Sequence, residues 1–128
     1  MWVRVLTVSF ILFAADGAAG AADAVAGKSY FTATCMQCHS AEPADGGGEI
    51  GPTLIGLFGR PAGVGDNRFL YSTALKDSRL VWNLESLDRF LADPATTVPG
   101  TMMPIPVPAK QDRDNVIAYF QSLISGAK

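Results

Sequence analysis

The apolar positions of this chain recur at helical spacing in two clear stretches, and nowhere do they alternate long enough to write a convincing strand. Residues 83–93 put Leu84, Leu87, Phe90 and Leu91 on one face, with Asn83 as N-cap, Glu85 in the first turn and Pro94 as the stop. Residues 110–124 carry Val116, Ile117, Tyr119, Phe120, Leu123 and Ile124 at the same period, closed by Gly126. A shorter helix is expected over 24–34, where Gly27 and Phe31 lie four residues apart on one face, and a helical turn or two over 72–77.

The segments between these helices read as loops. Residues 40–51 turn to Ala, Glu, Pro and Gly, including Gly46-Gly47-Gly48, without periodicity. Neither a Lys nor a helix start follows, which sets aside a phosphate cradle. Prolines at 99, 104, 106 and 108 forbid both a helix interior and a central strand over 98–108, so an ordered, extended loop is expected there. The predicted class is all-α, with about three to five short helices and long loops. Long loops in a small domain normally argue against an assignment, and a chain of this size buries a modest share of its surface. Something other than side chains is needed at the centre.

The N-terminus has a different character. Arg4 precedes an apolar run over 5–15, and small residues including Ala19-Gly20-Ala21 follow. The run is shorter than the roughly 20 residues that span a bilayer. It is read as a secretory signal over 1–21, cleaved after Ala21 or Ala22, ahead of a single domain over 22–128; an uncleaved anchor or a buried N-terminal helix is the alternative. The expected location is the periplasm, with no stable membrane insertion once the signal is gone.

Composition narrows the function. The net charge of −2 removes nucleic acid from the expected partners, because phosphate neutralisation needs clustered Lys and Arg. Hydrophobic residues at 48% argue against disorder. The scarce residues are two Cys, one His and four Met, and both Cys and the His fall together in Cys35-Met36-Gln37-Cys38-His39.

Two thiols at this spacing can add to the two vinyl groups of one haem, leaving the adjacent His under the iron as an axial ligand. A zinc site wants four ligands, and this chain would need a Met or carboxylate to complete an unusual set. A thioredoxin-like pair belongs in a βαβ context, which is missing here. A structural disulfide remains the plain alternative for a secreted chain. Under the haem reading Met is the natural candidate for the second axial ligand, since there is no second His and both Cys are consumed. Met1 leaves with the signal and Met36 lies inside the attachment motif, so Met102 and Met103 are the candidates.

These residues bring the chain to a known family. Over 27–123 it resembles the class I cytochromes c of the mitochondrial-like bacterial group. The resemblance rests on Cys35-Met36-Gln37-Cys38-His39, on Gly51-Pro52-Thr53-Leu54-Ile55-Gly56-Leu57-Phe58-Gly59-Arg60, on Trp82, and on Val98-Pro99-Gly100-Thr101-Met102-Met103. It implies one haem c, covalently held by Cys35 and Cys38, with iron bound by His39 and Met103. It implies that the Pro52 carbonyl accepts from Nδ1 of His39, that Arg60, Tyr71 and Trp82 surround the inner haem propionate, and that Thr101 lies near the same edge. Gly27 and Phe31 would meet Val116, Tyr119 and Phe120 where the first and last helices cross.

The sequence also departs from its relatives. Phe90 stands where mitochondrial relatives carry a Tyr hydroxyl beside the Met ligand, and Leu75 stands at a haem-side Asn position. Places that hold docking lysines in relatives carry Met36, Gln37, Ala95, Thr96, Thr97 and Met102, and the chain has Lys only at 28, 76, 110 and 128. The resemblance implies a soluble electron carrier rather than an enzyme, a monomer or weakly associating. Its redox partners would be a donor such as a quinol-oxidising complex or dehydrogenase and an acceptor such as a terminal oxidase. The alternatives are a haem subunit docked to a periplasmic dehydrogenase or oxidase, and a ligand-binding or peroxidase-like haem protein with a labile Met103.

Overall fold

The computed structural model describes residues 20–45 and 50–126; the expected signal and the Gly46-Gly47-Gly48 segment lie outside them, save for Gly20 and Ala21. Among the described residues there are five α-helices: α1 (Ala24–Tyr30), α2 (Thr73–Asp77), α3 (Leu84–Ala92), α4 (Pro94–Thr97) and α5 (Lys110–Ser125). No strand is present among them beyond one isolated antiparallel bridge between Pro61 and Val81. None of these helices is long and apolar enough to cross a membrane.

α1 begins where Asp23 turns its carboxylate onto the backbone N–H groups of Val25 and Ala26. It does not run on as an α-helix to Thr34: from Phe31 to Cys35 the chain widens into a single π-helical turn, closed by Met36 N donating to Phe31 O. The carbonyl of Cys35 then accepts from the N–H groups of both Cys38 and His39. The chain is thereby folded tightly across the motif.

α1 crosses α5 at Gly27, where a β-carbon would stand 1.9 Å from the carbonyl oxygen of Asn115. Only glycine permits that approach. Beside the crossing, Phe31 packs against Tyr119 and Phe120 with ring centroids 5.6 and 5.7 Å away. The Asn115 side chain adds a link by accepting from Asp23 N at 2.9 Å.

α3 starts at Asn83 with reciprocal hydrogen bonds between Asn83 and Ser86, and buries Leu87, Phe90 and Leu91. Pro94 ends this helix as expected, yet it also opens α4 as its first residue, with Asp93 accepting from Thr96 N at 3.0 Å. The segment after α4 is extended and fastened at its far end. Val107 N donates to Leu91 O at 2.7 Å, and buried Arg113 reaches the carbonyls of Val107 and Pro108 while its Nε pairs with Asp88 at 2.8 Å. α3 and α5 thus hold the proline-rich loop at its C-terminal side.

On the opposite flank, residues 59–62 run beside 80–82. Gly59 N donates to Trp82 O, Trp82 N to Arg60 O, and Ala62 N to Leu80 O. This short pairing fixes Arg60 next to Trp82, two residues far apart in sequence.

Candidate functional site

Cys35, at the end of the π turn, and Cys38, three residues on, are each half-buried. Burial pushes the Cys35 thiol up to about 11, and the neighbouring Cys38 adds to the rise. His39 follows them with its Nδ1 2.7 Å from the carbonyl oxygen of Pro52. A carbonyl only accepts, so Nδ1 carries the proton and the lone pair of the neutral ring lies on Nε2. Burial lowers the His39 pKa and favours that neutral form, partly offset by the bond to Pro52. Gly51 presses on the ring: a β-carbon there would be 2.5 Å from His39 Cε1.

The two candidate methionines separate. Met102 is 77% exposed, whereas Met103 is half-buried and packed against the core. Thr101 shapes this turn, its hydroxyl accepting from Met103 N at 3.3 Å and its own N–H donating to Val98 O at 3.0 Å.

A third group gathers around Arg60. Its Nη1 donates to Ile55 O at 3.0 Å and its Nη2 to Thr53 O at 3.1 Å, while Nε is buried with no protein acceptor. Tyr71 is buried, and its oxygen accepts from Asp66 N at 3.1 Å, which leaves the phenol proton to donate elsewhere. Burial raises the Tyr71 pKa and the Arg60 charge opposes the rise. Trp82 packs edge-on against Phe90 with ring centroids 5.2 Å apart, so the Phe90 position is filled by an aromatic contact. Leu75 is half-buried against the same core.

Asp66 was not legible as part of this group. Its carboxylate is 6% exposed and accepts from Thr53 N at 3.0 Å and from Arg68 N at 3.0 Å, bonds that hold its pKa below the usual carboxylate range. In the sequence it stands in Gly65-Asp66-Asn67, which reads as ordinary turn chemistry.

A small helical shell with a Cys-x-x-Cys-His turn on one segment and a half-buried thioether on a proline-rich segment defines the class of covalent haem proteins that carry electrons. The family model described as cytochrome c matches residues 24–123. Cytochrome c of Euglena viridis is 41% identical over 102 residues, covering 79% of this chain and 97% of that one. Cytochrome c2 of Blastochloris viridis is 37% identical over 113 residues, covering 88% of this chain and 87% of the other. Among solved structures, cytochrome cH from Methylobacterium extorquens superposes with a TM-score of 0.70 at 40% identity, covering 78% of this chain and 98% of that chain. The chain belongs to the cytochrome c family, as a class I monohaem electron carrier with a covalent c-type haem.

The residues present fit that group. Arg60 Nε is a buried cationic donor without an acceptor in the protein, which suits an anionic carboxylate such as a propionate. Leu54, Leu75, Leu80 and Met103 pack on the core while staying only partly covered by protein, which suits an apolar macrocycle.

Proposed function

We propose that this chain is a soluble periplasmic electron carrier in which Cys35 and Cys38 form the thioether links and His39 and Met103 bind the iron. The observation that carries the reading is the 2.7 Å contact between His39 Nδ1 and Pro52 O, which leaves the Nε2 lone pair for a metal. The choice of Met103 as second ligand is supported by its packing against the core, Met102 being 77% exposed. When bound, the haem supplies a one-electron Fe(III)/Fe(II) couple whose potential follows ligation and burial.

Each remaining residue has a task in that couple. Pro52 orients the His39 ring and fixes its tautomer. Arg60 and Tyr71 offer donors to a propionate, and Trp82 with Phe90 excludes water from the same side. Ligation by both His39 and Met103 would leave the iron no open position for substrate, which favours electron transfer over substrate chemistry. Export follows from residues 1–21 acting as a cleaved signal ahead of the domain over 22–128.

Docking on this reading depends little on long-range charge. Gln37, Ala95, Thr96 and Met102 are exposed and uncharged, Lys28 pairs with Glu42 at 2.8 Å, and Lys110 pairs with Asp114. The partners are a donor such as a quinol-oxidising complex or dehydrogenase and an acceptor such as a terminal oxidase.

The test is expression with a haem-attachment machinery, followed by a denaturing gel stained for haem and a pyridine haemochrome spectrum. Haem should co-migrate with the wild-type chain and be lost from the Cys35→Ala/Cys38→Ala variant. Haem that leaves the wild-type chain in denaturant would overturn the reading.

A further inference from the structure

The carbonyl that accepts from His39 and the N–H that donates to Asp66 belong to one peptide unit. That unit joins Pro52 to Thr53: Pro52 O lies 2.7 Å from His39 Nδ1, and Thr53 N donates to Asp66 Oδ2 at 3.0 Å. A hydrogen bond to an amide N–H from a full negative charge shifts electron density toward the amide oxygen, which then accepts more strongly. Three groups therefore stand in line: a buried carboxylate, a peptide and the ring N–H of the imidazole.

We propose that Asp66 is a positioning residue that acts through the Pro52–Thr53 peptide to raise the electron-donating strength of His39 and so lower the reduction potential of the haem iron. The inference rests on His39 being an iron ligand. Stronger acceptance at Nδ1 gives the ring more imidazolate character, which stabilises the ferric over the ferrous state.

The surroundings are built to hold that carboxylate in place. Tyr71 holds the backbone of Asp66 through its N–H, and Arg68 N anchors the other carboxylate oxygen, Oδ1. Gly65 lies directly on Arg60 at φ +104°, where a β-carbon would stand 2.3 Å from Arg60 Cδ. The side chain of Arg68 lies 3.7 Å from Asp66 Oδ1 but is 90% exposed, so water screens its charge. Burial of the carboxylate at 6% exposure limits screening of its field by water, while the Thr53 and Arg68 N–H bonds and, to a lesser degree, the nearby Arg60 charge hold its pKa down and keep it ionised.

The test uses holoprotein with Asp66→Asn, which removes the charge and keeps one acceptor oxygen. Two quantities are read: the midpoint potential by spectroelectrochemistry, and the His39 Nδ1–H proton resonance of the diamagnetic ferrous protein. The Fe(III)/Fe(II) equilibrium should move about tenfold toward Fe(II), about 59 mV for a one-electron couple, with the Nδ1–H resonance moving upfield. Asp66→Ser, smaller and still able to accept one N–H, serves the same two measurements if the Asn variant does not fold. An unchanged potential overturns the proposal, and so does a raised potential with an unmoved Nδ1–H resonance, because the charge then acts through space alone. A wild-type protein without His39-bound, low-spin iron fails at the start of the titration, and that failure belongs to the ligand assignment rather than to the relay.

Discussion

Replacing Gly27 by Ala sets two effects of known size against each other. In an exposed helix interior the change stabilises by about 0.8–1 kcal/mol through propensity alone. Here the new β-carbon would lie 1.9 Å from Asn115 O, 2.4 Å from Asn115 C and 2.9 Å from Val116 N, all backbone atoms that cannot rotate away. Relief requires α1 and α5 to separate by roughly 1 Å, which loosens the contacts of Phe31 with Tyr119 and Phe120. Overpacking of this kind costs about 3 kcal/mol or somewhat more when the obstacle is main chain. The net loss is then about 2 kcal/mol, and at about 4–8 °C per kcal/mol for a domain of this size the melting temperature falls by about 8–16 °C. Thermal unfolding of the holoprotein followed by far-ultraviolet circular dichroism measures it, with exposed Ser29→Ala as the control expected to stay within about 0.5 kcal/mol. A Gly27→Ala protein that melts at or above wild type would refute the close crossing.

Other substitutions probe different links. Arg113→Ala leaves the Val107 and Pro108 carbonyls without their donor and Asp88 without its partner, so stability should fall by about 3 kcal/mol in a denaturant titration; the thioether-to-iron absorption should weaken too, because this arginine fastens the loop that carries Met103. Glu42 is held below its usual pKa first by the Lys28 hydrogen bond and then by that of Tyr119, so its contribution is present at neutral pH and lost as pH falls through the carboxylate range. Urea midpoints of Glu42→Gln should lie below wild type at pH 7 and converge with it toward pH 3; parallel curves would count against the network. The oxidation rate by a native partner, followed by stopped flow, should change only slightly between low and moderate salt; a fall by orders of magnitude would reveal a charged docking face.

Much of this architecture could be read from residue types because it depends on neighbours in sequence. α3 and α5 follow from apolar period and end signals, and the Asn83 cap is a local hydrogen bond. The cysteine pair and His39 are legible for the same reason, since their chemistry lies within five consecutive residues. What escaped was either masked by a rule or made by distant segments meeting. Pro94 reads as a stop, but Asp93 ahead of it is an N-cap, and that pair starts α4. The π turn at 31–35 keeps a helical composition and departs only in its hydrogen bonding. Composition left Met102 and Met103 equivalent; family resemblance chose Met103, and the fold separates them by packing one inward. Asp66 matters only because residues 53 and 66 meet across a loop, a contact no local pattern encodes.

The central claim is the proposal that His39 and Met103 would both bind the iron of one covalently attached haem. Optical spectra of wild type, Met103→Ala and Met102→Ala, each purified with its haem, test it most directly. Met103→Ala should lose the thioether-to-iron absorption and six-coordinate low-spin character, while Met102→Ala keeps both. Loss in the Met102→Ala protein with retention in Met103→Ala would contradict the account.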